Sequence, residues 1–140
     1  MQVERTLAII KPDAVKRGLA GEIIKRIEAA GFALRGLKLM RLTRRDAELF
    51  YEVHGSRPFY GSLCEYMSSG SVVIAVLEGE HAITRWRDLM GATDPAKAAA
   101  GTIRKEFGLN VEQNSVHGSD APETARFEIG FFFAAVELLT

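Results

Sequence analysis

The fold turns on Asn114-Ser115-Val116-His117-Gly118-Ser119-Asp120-Ala121-Pro122, near the C-terminal end of the chain. Ser115 to His117 reads as a short fourth strand. Asp120, Ala121 and Pro122 then start a last helix whose inward face is Ala121, Thr124, Ala125, Glu128, Ile129 and Phe132. Such a strand needs partners upstream. Arg5 to Ile10 is apolar and β-branched toward its end, and it stops at Lys11-Pro12-Asp13, where proline removes a ladder donor. It reads as a central strand feeding a functional loop. Val72 to Leu77, a continuous apolar run between Gly70 and Gly79, is short enough to be a strand buried on both faces. Phe32 to Leu42 alternates Phe32 and Leu34 with Leu37 and Leu39 after a phase slip at Gly36, the pattern of a strand carrying a bulge or bend.

Helices fill the intervals. Leu19 to Ala30 places Leu19, Ile23, Ile24 and Ile27 on one face and Lys25, Arg26 and Glu28 on the other, with Gly31 as the stop. Thr43 and Asp46 form a capping box, with Asp in place of the usual Glu, and open a helix through Ala47, Phe50, Tyr51 and His54. Pro58 suits the first position of a second helix that continues through Leu63 and Met67 to Gly70, so the pair makes a helical hairpin. A helix from about His81 to Met90 turns Ala82, Ile83, Trp86 and Leu89 inward. Gly91 to Asn114 is expected to be mostly irregular, with one capped turn at Asp94-Pro95; a loop of that length in a compact domain points to binding. The order is therefore β-α-β-(αα)-β-α-loop-β-α. Without the inserted hairpin it is β-α-β-β-α-β, which predicts an α+β, ferredoxin-like fold with a four-stranded antiparallel sheet and a long loop before the last strand. A doubly wound parallel sheet is the competing architecture.

Composition narrows the function classes. The 140 residues are 47% hydrophobic and 26% charged, as expected of a single domain spanning 1–140 with a substantial core. Eighteen Lys and Arg balance eighteen Asp and Glu, so no whole-molecule field draws in nucleic acid or an anionic membrane, and neither partner is expected. Any anion must be caught by a local site. No apolar stretch is long enough for a membrane span, and the chain opens with Glu4 and Arg5 rather than a signal-peptide pattern, so a cytoplasmic location is expected. A lone Cys64 forms no internal disulfide, and three scattered histidines offer no metal-ligand spacing, so no protein metal site is expected.

Glu128 is the most informative anomaly. Helical spacing puts this carboxylate on an apolar face, where it is costly without a partner, and His117 or Ser119 reaches it if the chain turns at Gly118. A histidine oriented by a carboxylate is what an activated imidazole requires, and with a free pKa of about 6.5 much of the ring is neutral at pH 7. The plainer reading is a capped helix with a structural histidine. Lys11 follows a buried strand directly, while Arg57, Arg87 and Arg104 border loops or helix ends; each suits phosphate oxygens, and each singly reads as a solvated surface charge. Thr93, Asn114 and Ser119 are possible donors to phosphate or ribose. Phe59 and Tyr60 form either a stacking ledge for a base or ordinary core. Met40, Met67, Met90 and Trp86 read as packing, and His54 and His81 as structural or surface histidines. The phosphate-loop and dinucleotide glycine motifs are missing from the sequence, so a nucleotide enzyme would hold phosphate by side chains and metal.

The motif Asn114-Ser-Val-His117-Gly-Ser119-Asp120 resembles the active-site signature of nucleoside diphosphate kinases. Further matches run through nearly all of the chain: Arg5-Thr-Leu-Ala-Ile-Ile-Lys11-Pro-Asp-Ala, Arg57-Pro-Phe59, Leu77-Glu-Gly, Arg87-Asp-Leu-Met-Gly-Ala-Thr93-Asp-Pro, Gly101-Thr-Ile-Arg104 and Glu128-Ile. The resemblance implies ping-pong transfer of the γ-phosphate of a nucleoside triphosphate to a nucleoside diphosphate, with broad base specificity, in the upkeep of nucleotide pools. It implies His117 as the nucleophile, phosphorylated on Nδ1, with Glu128 and Ser119 orienting the ring. Lys11, Tyr51, Arg87, Thr93, Arg104 and Asn114 match phosphate and sugar contacts, and Phe59 the aromatic on which the base stacks. Mg2+ bound with the nucleotide phosphates is the implied cofactor. Assembly as a homo-oligomer is implied, with a tetramer favoured and a hexamer possible, and the Phe131-Phe-Phe133 run is expected to be partly interfacial. Ala121 stands where many members have serine, which weakens the helix cap by about 1 kcal/mol if that serine caps. A nucleotide-binding regulatory module without transfer, and a nucleic-acid-binding domain of the same fold, are the alternatives; the zero net charge disfavours the second.

Overall fold

The computed structural model describes residues 3–139. Four strands, β1 (Val3–Ile10), β2 (Ala33–Arg41), β3 (Ser71–Glu80) and β4 (Val116–Gly118), make one sheet in the spatial order β2-β3-β1-β4. Every pairing is antiparallel, which excludes the doubly wound alternative and matches the ferredoxin-like expectation. The helices are α1 (Pro12–Lys16), α2 (Ala20–Ala29), α3 (Arg44–Phe50), α4 (Tyr60–Met67), α5 (Ala82–Met90), α6 (Ile103–Phe107) and α7 (Pro122–Phe132).

The central strand β1 is apolar at every position from Leu7 to Ile10 because both of its faces are covered. Ala8 and Ile10 pack with Ile23 and Ile27 of α2 and with Ala82, Trp86 and Met90 of α5. Leu7 and Ile9 pack with Ala47 and Phe50 of α3, Cys64 and Met67 of α4, and Phe132 and Phe133 at the end of α7. Each such large side chain removed from water contributes about 1.5–3 kcal/mol. The two helices of the basic fold thus lie on one face of the sheet, and the inserted hairpin with α7 lies on the other.

Local signals were placed well. Thr43 and Asp46 exchange both capping-box hydrogen bonds at the start of α3, at 3.0 and 2.9 Å. The phase slip at Gly36 is a register shift against β3 between Leu34 and Gly36. A Cβ at Gly36 would come within 2.8 Å of the Phe133 ring, so glycine permits that close approach. Leu37 and Leu39 beyond the slip stay 50% and 71% exposed on the edge strand.

Several expectations need correction. Lys11-Pro12-Asp13 is not a loop: Lys11 caps α1, and Pro12 occupies the first helical turn, where its missing N–H costs nothing. Pro58 lies in the turn before α4, which starts at Tyr60. The fourth strand runs one residue later than expected, since Ser115 has a φ of +75° and leaves the ladder. Within 91–114, besides the turn capped by Asp94, Thr102 caps an unforeseen short helix, α6. Thr124 does not face inward; it is exposed, and its Oγ1 accepts from the amides of Asp120 and Ala121 at 3.1 and 2.9 Å. That supplies half of a capping box where Ala121 has no acceptor. Phe132 and Phe133 are 8% and 6% exposed within the chain itself and so belong to its core, while Phe131 is half-buried.

Gly118 does not serve as a turn; it lies in β4. A Cβ there would stand 2.6 Å from Trp86 Cδ1 and 2.7 Å from Met90 Cε, so the missing side chain lets β4 lie directly on α5. Gly118→Ala is expected to lose about 1–3 kcal/mol of stability through overpacking, read as a lower midpoint of urea unfolding. An unchanged midpoint would contradict this close approach.

Candidate functional site

The site is assembled around β4 and the residues that flank it. His117 pairs with Ile9 of β1. Strand alternation sends Val116 into the core under α5 and turns His117 to the opposite face, beside Phe50 and Tyr51. Those rings meet the imidazole edge-on, with centroids 5.5 and 6.1 Å away. His117 Nε2 lies 2.8 Å from Glu128 Oε1, and the same oxygen accepts from Ser119 Oγ at 2.9 Å. Ser119 is held in turn by β1: its hydroxyl accepts from the Leu7 amide, and its own amide donates to the Leu7 carbonyl, both at 3.3 Å. An ionised carboxylate only accepts, which assigns the ring hydrogen to Nε2 and leaves a lone pair on Nδ1. His117 and Glu128 keep 18% and 14% of their side-chain surface exposed, enough for a small ligand to reach the ring. The anomalous carboxylate and the histidine therefore meet as the sequence suggested. They do so because Ser119 fastens to Leu7, rather than through a turn at Gly118.

The cations divide into two kinds. Lys11 and Arg104 are not solvated surface charges, being 7% and 8% exposed. Lys11 Nζ donates to Asn114 Oδ1 at 2.8 Å and to the Glu112 carbonyl at 3.3 Å. Burial, and then the Arg104 charge, pull its pKa down to about 8, against the opposing pull of Asp13 and Glu112. Arg104 donates to the carbonyls of Gly91 and Val116 at 3.0 and 2.8 Å, and burial followed by Arg87 lowers it to about 10. Arg87 is exposed and paired with Asp120 at 2.6 Å, and Arg57 is exposed. Asn114 also donates to the Thr93 carbonyl at 3.0 Å, which ties the exposed Thr93 to the site.

Tyr51 is buried and its hydroxyl has no partner among the described residues; the Nε of Arg104 is in the same condition. Burial first, and the Glu128 charge second, raise the Tyr51 pKa well above the ordinary phenol range, so the group stays a neutral donor. Phe59 is 44% exposed and therefore not part of the core. His54, read as a bystander, fills the interval between them, with centroids 6.5 Å from Tyr51 and 5.8 Å from Phe59. Trp86 does more than pack, since its Nε1 donates to the His117 carbonyl at 3.2 Å. Asp120, the partner of Arg87, and the buried Asp13 also belong to the site although sequence assigns neither a chemical role; their adjacency to Ser119 and Pro12 is the only local signal. Glu128→Gln keeps an acceptor but removes the charge from both hydrogen bonds, so a stability loss of about 1–2 kcal/mol is expected in chemical denaturation. A midpoint equal to that of the unaltered protein would show that Glu128 is not held as described.

Comparison with known proteins bears on what this arrangement serves. The sequence model of the nucleoside diphosphate kinase family matches residues 4–138. The nucleoside diphosphate kinase of Trichlorobacter lovleyi is 60% identical over 137 residues, covering 98% of this chain and 99% of that protein. That of Geotalea uraniireducens is 56% identical over 137 residues, covering 98% and 100%. Among solved structures, the Aquifex aeolicus nucleoside diphosphate kinase superposes with a TM-score of 0.97 at 48% identity, covering 99% of this chain and 100% of that one. A halophilic nucleoside diphosphate kinase from Halobacterium salinarum, solved in complex with CDP, superposes with a TM-score of 0.95 at 40% identity, covering 99% and 93%. With sequence and fold agreeing from Glu4 to Leu138, the chain belongs to the nucleoside diphosphate kinase family and is a phosphotransferase enzyme.

Proposed function

We propose that the enzyme transfers the γ-phosphate of a nucleoside triphosphate to a nucleoside diphosphate in two half-reactions through a phosphohistidine on His117. The observation that carries this reading is the partly exposed imidazole whose Nε2 is held by Glu128, which leaves Nδ1 as the ring nitrogen with the lone pair. Nδ1 attacks the γ-phosphorus, the bond from that phosphorus to the bridging oxygen breaks, and the diphosphate leaves with the electron pair. An incoming diphosphate then attacks the phosphohistidine with a terminal oxygen and restores the ring. Glu128 stabilises the positive charge that the ring acquires, with Ser119 steadying the carboxylate. One phosphoanhydride replaces another, so the exchange is close to thermoneutral and reversible.

Lys11, Arg87 and Arg104 face the phosphates, Tyr51 and Asn114 add hydrogen bonds, and Thr93 and Phe59 contact the nucleotide, in keeping with the orphaned Tyr51 hydroxyl and Arg104 Nε. Stacking on Phe59 without hydrogen bonds to a base edge tolerates every base, which supports broad specificity and a role in maintaining NTP and dNTP pools. No group of three His, Cys, Asp or Glu side chains gathers as a metal cage among the described residues. Mg2+ is proposed to arrive on the nucleotide phosphates, whose charge it would neutralise when bound. Residues 1–140 act as one domain in this reading. Exposed Leu37 and Leu39 on edge strand β2 support self-association, with a tetramer favoured and a hexamer possible. Among the described residues no helix is long and apolar enough to cross a membrane, and a cytoplasmic location is proposed.

Incubation with magnesium and γ-labelled ATP, without acceptor, tests the mechanism. Acid-labile, alkali-stable label is expected on the protein, chased off alike by GDP, UDP and CDP. His117→Ala is expected to fold and take up none; near-normal turnover in that variant would refute the relay, and ATP binding without label would favour a regulatory module. The depressed pKa of Lys11 makes a further prediction. Phosphate needs the protonated amine, so kcat/KM should fall as pH rises through about 8. Bound phosphate raises that pKa, so the alkaline limb of kcat should lie higher. A kcat/KM profile flat to roughly pH 9.5 would remove Lys11 from the binding step.

A further inference from the structure

Asp13 is a buried carboxylate that the mechanism above leaves unused. Its side chain is 2% exposed. Its Oδ1 accepts from the Tyr66 hydroxyl and, at 3.3 Å, from the Ser115 amide; its Oδ2 accepts from the Ser115 hydroxyl and from Arg17, both at 3.0 Å. The Tyr66 oxygen also accepts from the Asp13 amide at 3.0 Å. Ser115 holds a φ of +75°, a region where glycine is the easier residue, and a side chain persists there when its surroundings over-determine it. Here the amide and the hydroxyl of one residue grip a single carboxylate. A parallel pair of contacts runs alongside: the Lys11 amide donates to the Ser115 carbonyl at 2.8 Å, and Lys11 Nζ to Asn114 Oδ1 at 2.8 Å. Lys11 and Asp13 on one segment thus interlock with Asn114 and Ser115 on the other.

We propose that Asp13 is a positioning residue for phosphoryl transfer: gripped by Ser115, Tyr66 and Arg17, it clamps the start of α1 against the run into β4 and so places Lys11 and Asn114 for the phosphates. This rests on the reading of Lys11 and Asn114 as nucleotide contacts. Tyr66 belongs to α4, the helix that Phe59 precedes, so the base ledge and the phosphate groups share one anchor. The charged groups that bear on Lys11 are Arg104, which lowers its pKa, and Asp13 and Glu112, which raise it. Removing the Asp13 charge therefore lowers it further.

Steady-state kinetics over roughly pH 6 to 10 on full-length Asp13→Asn, Ser115→Ala, Ser115→Gly and Tyr66→Phe test the clamp, beside phosphohistidine labelling of the unaltered protein. Ser115→Ala and Tyr66→Phe are expected to lose about tenfold in kcat with KM changed by less than about threefold, because misplaced groups fail chiefly in the transition state. Ser115→Gly relieves the positive φ yet still lacks the hydroxyl, so it should lose kcat while its melting temperature holds. Asp13→Asn should move the alkaline limb of kcat/KM to lower pH; if it does not fold, the hydroxyl deletions decide. Normal kcat in Ser115→Gly and Tyr66→Phe, or an unmoved alkaline limb in a folded Asp13→Asn, overturns the clamp, while label on the unaltered protein leaves the His117 relay standing. Absence of label on the unaltered protein overturns both.

Discussion

A three-residue ladder between β4 and β1 carries the site, with Ala8, Ile9 and Ile10 paired against Gly118, His117 and Val116. Because side chains alternate along a strand, that register commits Val116 to one core and His117 to the face where Glu128 waits. A slip by one residue would exchange them. Gly118 lies against Trp86, and Ser119 is fastened at both amide and hydroxyl to Leu7, so the segment is held from two sides. The His117 ring is therefore mounted beside a central strand buried on both faces, where packing limits its freedom.

Around that ladder the buried cations are satisfied by neutral acceptors. Lys11 is held by an amide oxygen and a carbonyl, and Arg104 by two carbonyls. Burying a charge is unfavourable, and the depressed pKa values of both groups record it, although Asp13 and Glu112 offset part of the effect at Lys11. The hydrogen bonds of both cations thus go to neutral oxygens, which leaves their charge less screened than a direct ion pair would, as the proposed phosphate contacts require. Arg87 differs: it is exposed, and Asp120 already neutralises it. The site thus holds two buried cations and one exposed cation already paired with a carboxylate.

Part of this was legible from local chemistry. The Thr43 and Asp46 capping box, the slip at Gly36 and the apolar runs of β1 and β3 follow from neighbouring residues, and they appear where expected. Short helices were not legible. At five residues each, α1 and α6 carry too little periodicity to register, and both depend on caps and packing for their existence. Thr124 has the spacing of a core residue, yet it turns back to accept from the amides of Asp120 and Ala121 at the start of α7. Within the Phe131 to Phe133 run, the opening at Gly36 receives Phe133, a packing partner far away in sequence.

Residue types at short spacing were enough for the order of the strands and longer helices, for most of the apolar faces and for the family. Glu128 on an apolar face already demanded a partner. Which atoms meet was decided only by tertiary structure. Lys11 and Arg104 carry charges whose burial no local pattern reveals, because it arises from segments more than ten residues apart closing over them. The free Nδ1 of His117 is likewise a consequence of where Glu128 stands after α7 folds back on the sheet. Residue chemistry restricts which contacts are favourable, whereas long-range packing chooses among them.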